Sequence, residues 1–154
     1  MEKAIVDVYG SRVRVRVCGL CWKDDKLLMV KHKLLKSGGF WSPPGGGIDF
    51  NQSITETLKR EFSEETGLLV SPGAFRFGCE FIQSPLHAIE LFYTIDHLEG
   101  LLVTGYDPEV QLIEEVKYLS EEEIKVIPKD NLHGIFHNHQ TKKEIEKLSG
   151  FYRI

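Results

Sequence analysis

The sequence predicts an α/β fold built on a mixed β-sheet, and three observations carry that reading. One amphipathic helix near the middle has clear start and stop signals. Period-2 strand patterns stand on both sides of it. The length, 154 residues, suits a single domain spanning 1–154.

Arg12, Arg14 and Arg16 alternate with Val13, Val15 and Val17, a strand with arginines on one face and valines on the other. The apolar run continues to Cys21 and Trp22. Asp24-Asp25 marks a turn, and 27–30 reads as the returning strand of a hairpin. Residues 37–47 hold Pro43-Pro44 followed by three glycines, which excludes a helix and predicts an extended entry into a loop with unusual backbone angles.

The helix opens at Ser53-Ile54-Thr55-Glu56, a capping-box pattern, carries Ile54, Leu58 and Phe62 as its buried stripe, and stops at Gly67. Phe75, Phe77, Cys79 and Phe81 alternate as a strand. Two further runs, 87–95 and 111–119, read as strands. A helical turn at 120–124 and a polar helix over 141–148 complete the chain.

Composition narrows the function. Hydrophobic residues make up 42%, charged residues 27%, and the net charge is −4. That balance argues against a sequence-independent binder of nucleic-acid polymers, which needs concentrated cationic charge. An acidic protein acting on an anionic phosphate ester needs divalent cations to offset the repulsion. Three scattered cysteines imply no disulfide framework and favour a reducing compartment. The charged N-terminus lacks the apolar core of a signal peptide, and no apolar run reaches the roughly 18 residues of a membrane span, so no membrane partner and a cytoplasmic location are expected.

Within the central helix, Glu61, Glu64 and Glu65 stand at i, i+3 and i+4, so their carboxylates share one side. Like charges at that spacing repel, and the helix C-terminus is the unfavourable end for anions. A cation among the carboxylates resolves both conflicts, and hard oxygen ligands suit Mg2+, with Mn2+ as a substitute. A glutamate-rich helix face in isolation is more often simply solvated.

The segment from Gly46 to Leu68 adds specificity. It resembles the signature of the Nudix hydrolase family, of MutT-like type: Gly, five residues, Glu, seven residues, Arg-Glu, an apolar residue, any residue, Glu-Glu, any residue, Gly, and an apolar residue. Gly46, Arg60, Glu61, Phe62, Glu64, Glu65, Gly67 and Leu68 fall in register. The approach, Trp41-Ser42-Pro43-Pro44-Gly45-Gly46-Gly47, is also similar to that family's. Residue 52 departs: the family's first Glu is Gln52 here, which keeps hydrogen-bonding reach and loses charge.

The resemblance implies an α/β/α sandwich with a central mixed sheet and a loop–helix–loop presenting the glutamates. It implies metal-dependent hydrolysis of a pyrophosphate linkage in a nucleoside diphosphate joined to another moiety, such as ADP-ribose, a nucleotide sugar or a nucleoside triphosphate. By carry-over, Glu61, Glu64 and Glu65 bind the metal beside the Gly46 backbone, and Arg60 orients the carboxylates through ion pairs. The alternative, which Gln52 alone favours, is a non-catalytic sensor of nucleotide metabolites on the same fold. The partner in either case is a small nucleotide-like molecule; a homodimer is compatible with the family.

Other residues carry weaker signals. Arg12, Arg14 and Arg16 are candidates for clamping substrate phosphates, since guanidinium matches phosphate bidentately; a charged face that guards a sheet edge competes with that reading. Phe40 and Trp41 could stack a base, though a core role weighs more. Glu109, Glu114 and Glu115 are candidates for the general base, with surface solvation the commoner fate; Glu115 also counts as a substrate-site candidate. Cys18 and Cys21 form a C-x-x-C on a strand, where they point to opposite faces and are expected as core thiols. His133, His137 and His139 cluster weakly as metal candidates, and His87 and Glu90 take no assigned role.

Overall fold

The protein is described here from a computed structural model, in which residues 3–33, 37–105 and 113–154 are described. In chain order these are α1 (Lys3–Tyr9), β1 (Arg12–Leu20), β2 (Trp22–Lys23), β3 (Lys26–His32), β4 (Phe40–Ser42), β5 (Gly45–Gly47), α2 (Ile54–Thr66), β6 (Leu69–Gln83), β7 (Leu86–Glu99), β8 (Ile113–Leu119), α3 (Glu121–Val126), α4 (Lys142–Glu146) and β9 (Phe151–Arg153).

A five-stranded sheet runs β5-β1-β7-β6-β9, and a second sheet places β3 between β4 and β8 and carries β2 on its edge. The first sheet is mixed: β1 pairs parallel with β7 and antiparallel with β5, and β6 pairs antiparallel with β7 and parallel with β9. Leu28 donates its backbone N–H to the Cys21 carbonyl at 2.9 Å, so the first sheet runs on into the second.

Two apolar cores lie on opposite sides of these strands. Leu58 and Phe62 of α2 pack with Val17, Leu28, Val30 and Val116. Cys18, Leu27, Met29, Trp41, Phe92 and Leu119 pack with Ile124, Phe136 and Ile145 from the C-terminal segment. Adjacent residues such as Val17 and Cys18 enter different cores because strand side chains alternate. The expected α/β/α sandwich results.

Several expectations are corrected. The three glycines 45–47 do not make a loop of unusual angles; they form β5, paired with Arg16 to Cys18, and none has positive φ. Crowding against backbone requires glycine at Gly45, while at Gly46 and Gly47 the neighbour is the end of a side chain. A Cβ at Gly45 would overlap the Val17 carbonyl, one at Gly46 the Glu61 carboxylate, and one at Gly47 would meet the Arg14 guanidinium.

Strand β7 lies along all of β1, whereas β5 covers only Arg16 to Cys18, so Arg12 and Arg14 stand where β1 has no pairing strand on that side among the described residues. The valine face is only partly buried: Val17 is in the core, while Val13 and Val15 are exposed. The C-terminal helix covers only Lys142–Glu146, with Thr141 as its N-cap. Helix α1 and strand β9 have no counterpart in the sequence reading. The strand expected over 111–119 is seen as Ile113–Leu119; residues 111 and 112, and Glu109, lie outside the described residues.

Candidate active site

Helix α2 places the site. Ser53 Oγ accepts from the Glu56 N–H at 3.1 Å and Glu56 Oε2 accepts from the Ser53 N–H at 2.8 Å, the reciprocal capping box. At the other end Gly67, at φ 72°, donates to the Ser63 carbonyl, a left-handed stop that suits glycine. Between these ends, Leu58 and Phe62 anchor one face while Glu61, Glu64 and Glu65 line another.

The three glutamates differ in exposure. Glu61 is 8% and Glu65 2% exposed, whereas the Glu64 side chain retains 21%. Glu65 Oε1 accepts from the Gly45 N–H at 2.9 Å, which fastens the helix to β5. Glu61 lies against Gly46, in the space a Cβ would fill. Burying carboxylates costs several kcal/mol per ion without compensation, so nearby cations are required.

Arg60 supplies part of that compensation. Its Nη1 donates to Glu61 Oε1 at 2.8 Å and reaches Glu64 Oε2 at 3.5 Å. Its Nη2 donates to the Gly47 carbonyl at 3.3 Å and approaches Asp49 at 3.5 Å. Gln52 Oε1 accepts from Arg60 Nε at 3.2 Å, from Arg60 Nη2 at 3.0 Å and from Thr57 Oγ1 at 3.0 Å. The amide at this departing position therefore still ties the loop to the helix.

A second cationic group approaches from β1. Arg16 pairs in register with Glu90 of β7 and with Gly47 of β5. Its Nη1 donates to Glu90 Oε2 at 2.8 Å. Burial opposes its charged form, but Glu90 first, then Glu65 and Glu61 among others, hold it firmly protonated. Arg14 stacks over the Tyr9 ring at 3.9 Å and borders Gly47, while Arg12 bonds the Val8 carbonyl of α1. Of the three arginines, Arg14 and Arg16 flank β5 and Arg12 serves the N-terminal helix.

Sequence reasoning missed two buried groups here. Glu90 Oε1 lies 2.7 Å from His133 Nε2, and Glu90 is 3% exposed. Burial opposes ionisation, yet the His133 ring and the Arg16 guanidinium outweigh it and hold the carboxyl down at about 2. His32 sits with Nε2 3.8 Å from Glu65 Oε2, and burial first, then Arg16, pulls it down to about 4. The available signal was a lone glutamate in the apolar run of β7, because a buried charge demands a partner.

The other candidates disperse. Trp41 is core, with its carbonyl accepting from the His133 N–H at 2.9 Å. Trp41 and Glu115 are both register partners of Lys31, and with Lys117, Leu119 and Val126 they line an open hollow of about 200 Å3. That hollow opens on the face carrying the C-terminal segment, not the face carrying α2. Phe40 is half-buried. Glu114 pairs with Lys31 at 3.6 Å.

The three C-terminal histidines do not share a site. His133 faces Glu90, His137 contacts the Lys129 and Leu132 carbonyls, and His139 the Ile135 carbonyl. His87 lies 3.6 Å from Glu80. Cys18 and Cys21 are buried, unpaired and in different cores.

Among the described residues, no three His, Cys, Asp or Glu side chains converge into a ready metal cage; Arg60 lies across Glu61 and Glu64 instead. The donor set nonetheless fits a hard divalent cation. It offers carboxylate oxygens on one helix face, with Glu61 close against the backbone at Gly46.

This arrangement defines the class. The NUDIX domain family model matches residues 10–139, and the chain belongs to that family. A MutT protein from Methanosarcina mazei has the same fold, with TM-score 0.68 at 20% identity over 89% of this chain and 93% of that one. A MutT NUDIX hydrolase from Burkholderia pseudomallei matches with TM-score 0.68 at 20% identity over 90% and 99%.

In sequence, an ADP-ribose pyrophosphatase of Methanocaldococcus jannaschii is 30% identical over 95 residues, 60% of this chain and 56% of that protein. An 8-oxo-dGTP diphosphatase of Buchnera aphidicola is 33% identical over 91 residues, 58% and 62% respectively. The chain thus spans less than two thirds of either relative. Among the described residues, no helix is long and apolar enough to cross a membrane.

Proposed function

We propose that the protein is a metal-dependent pyrophosphohydrolase that cuts the phosphoanhydride of a nucleoside diphosphate joined to a second group. The observation that carries the reading is the stripe of Glu61, Glu64 and Glu65 on one helix face, with Glu65 bonded to Gly45 and the Glu61 carboxylate lodged in the space that Gly46 leaves free of a side chain. Mg2+ or Mn2+ bound by these carboxylates would offset phosphoryl charge and acidify bound water.

The chain's own residues have separable tasks. Glu65 is aimed by the Gly45 N–H, and Glu61 by Arg60 and the glycine wall. Arg60, held by Gln52, keeps the half-exposed Glu64 in line with its neighbours and leaves solvent access on that side. Arg16 and Arg14 present guanidinium groups beside β5, where an anionic substrate would otherwise meet only carboxylates. Trp41 and Glu115 border a separate hollow that suits a remote part of the substrate.

The names of the relatives, an ADP-ribose pyrophosphatase and an 8-oxo-dGTP diphosphatase, support a small nucleotide as substrate. Three buried or core-facing free thiols fit a reducing compartment such as the cytoplasm.

The test is product release from ADP-ribose, a nucleotide sugar, 8-oxo-dGTP and a dinucleoside polyphosphate, with magnesium, with manganese and with chelator. Cleavage of at least one compound that chelator abolishes is expected. Tight binding of a compound with no cleavage of any would replace this reading with the sensor.

A further inference from the structure

Among the described residues, Glu90 is the most deeply buried acid whose work the proposed reaction leaves unexplained. It lies on β7 between two partners from distant parts of the chain. Oε2 accepts from Arg16 Nη1 at 2.8 Å, and Oε1 faces His133 Nε2 at 2.7 Å. The His133 ring has a fixed sense. Its Nδ1 accepts from the Ile135 N–H at 3.2 Å, so the ring hydrogen sits on Nε2 and donates to Glu90. Phe92 and Phe136 meet the ring edge-on, with centroids at 5.5 and 6.0 Å. The backbone N–H of His133 is itself bonded to the Trp41 carbonyl. The carboxylate therefore cannot swing without disturbing two strands and the C-terminal segment.

Arg16 is the end of that chain that meets solvent. Its side chain retains 25% exposure while Glu90 retains 4%. A guanidinium offers five N–H donors, and Glu90 is the acceptor found for it among the described residues. The residue pairs in register with Gly47 of β5, and its guanidinium is within electrostatic reach of Glu65 and Glu61. A partly exposed cation fastened to a buried carboxylate, and electrostatically coupled to the glutamates of α2, suits an anionic oxygen of a bound phosphate.

We propose that Glu90 and His133 are positioning residues that mount Arg16 as a fixed phosphate-binding fork for a nucleoside diphosphate substrate. The inference rests on the proposed hydrolase reading and assigns work to residues outside the glutamate helix. Arg16 touches the substrate; Glu90 and His133 act through it.

The test is calorimetric binding of α,β-methylene-ADP in the presence of magnesium, with thermal melting run beside it. Arg16→Ala is expected to weaken binding about tenfold or more, as loss of a charge-assisted hydrogen bond does. Arg16→Lys should weaken it nearly as much, because an ammonium cannot hold Glu90 and a phosphate in one plane. In Glu90→Gln one amide atom must face a donor with a donor, so the mount breaks with little change in size. That variant should weaken binding several-fold alone and add nothing in the Arg16→Ala background, a coupling that a merely structural role would not produce.

Wild-type affinity in Arg16→Lys, an additive Glu90→Gln effect, or no binding of α,β-methylene-ADP by the wild type would each overturn the mount. Should Glu90→Gln fail to fold, the Arg16→Lys comparison decides alone. Binding that behaves as expected, with no cleavage of any nucleotide, would retain the mount and reject the hydrolase.

Discussion

Gln52 shows how a single residue can leave a family pattern and still tie its loop to the helix. Its carboxamide oxygen takes hydrogen bonds from Thr57 Oγ1 and from two nitrogens of Arg60. The position needs an acceptor there more than it needs charge. Gln52→Glu is therefore expected to leave turnover within a few-fold of wild type. Gln52→Ala should lower turnover and cost about 1–2 kcal/mol in urea unfolding, because Arg60 loses an acceptor in a half-buried setting. Equal activity in wild type and Gln52→Ala would contradict this.

Glu90 makes a second prediction at the same scale. Its carboxyl is lowered from 4.5 to about 2, so the unfolded chain binds the proton more readily than the folded one. The stabilisation it contributes is complete above about pH 4.5 and is lost as pH falls towards 2. Urea midpoints measured on acidification should fall more steeply in wild type than in Glu90→Gln over that window. Parallel slopes would contradict the ion pair.

The glutamate stripe was legible because its spacing is local. Glu90, His133 and His32 were not, since their meaning comes from partners far along the chain.

At the scale of elements, α2 and β5 act as one unit. The capping box at Ser53 fixes where the helix starts, and the Gly45–Glu65 hydrogen bond fixes how it lies on the sheet. Ser53→Ala should cost about 1 kcal/mol, read from thermal or urea unfolding. Gly46→Ala tests the contact itself. Its Cβ would enter the space of the Glu61 carboxylate, so manganese affinity is expected to fall at least tenfold while far-UV circular dichroism stays native. Unchanged manganese binding would show that Glu61 does not need that wall.

The helix, its caps and the turn at Asp24-Asp25 were readable from periodicity and turn residues; the hairpin there joins β2 to β3, while β1 pairs with β5 and β7 instead. The three glycines were read for torsional freedom when crowding was the cause, because neighbours in space leave no mark on a local pattern. Helix α1 and β9 are short, and tertiary pairing rather than propensity creates them.

For the molecule as a whole, two sheets joined at Cys21 and Leu28 carry α2 on one side and the C-terminal segment on the other. Among the described residues, β5 touches both groups: Gly47 meets Arg14 and pairs with Arg16, while Gly45 and Gly46 meet Glu65 and Glu61. The layering also places the Trp41–Glu115 hollow on the side away from α2. Alternating strands and one strong helix announced an α/β fold with a mixed sheet, and the family resemblance implied the sandwich. Which residues would share its rim depended on the parallel pairing of β1 with β7, which no sequence period encodes.

The most direct test of the account is the turnover of Glu64→Gln on whichever nucleotide the wild type cleaves, measured with magnesium and beside a melting curve. Glu64 is partly exposed and its bond to Arg60 is long, so the substitution should leave the melting temperature close to wild type. Turnover should fall about a hundredfold or more, in keeping with the several kcal/mol a bound cation supplies. A Glu64→Gln protein with native melting and undiminished turnover would contradict the claim that this helix holds the catalytic cation.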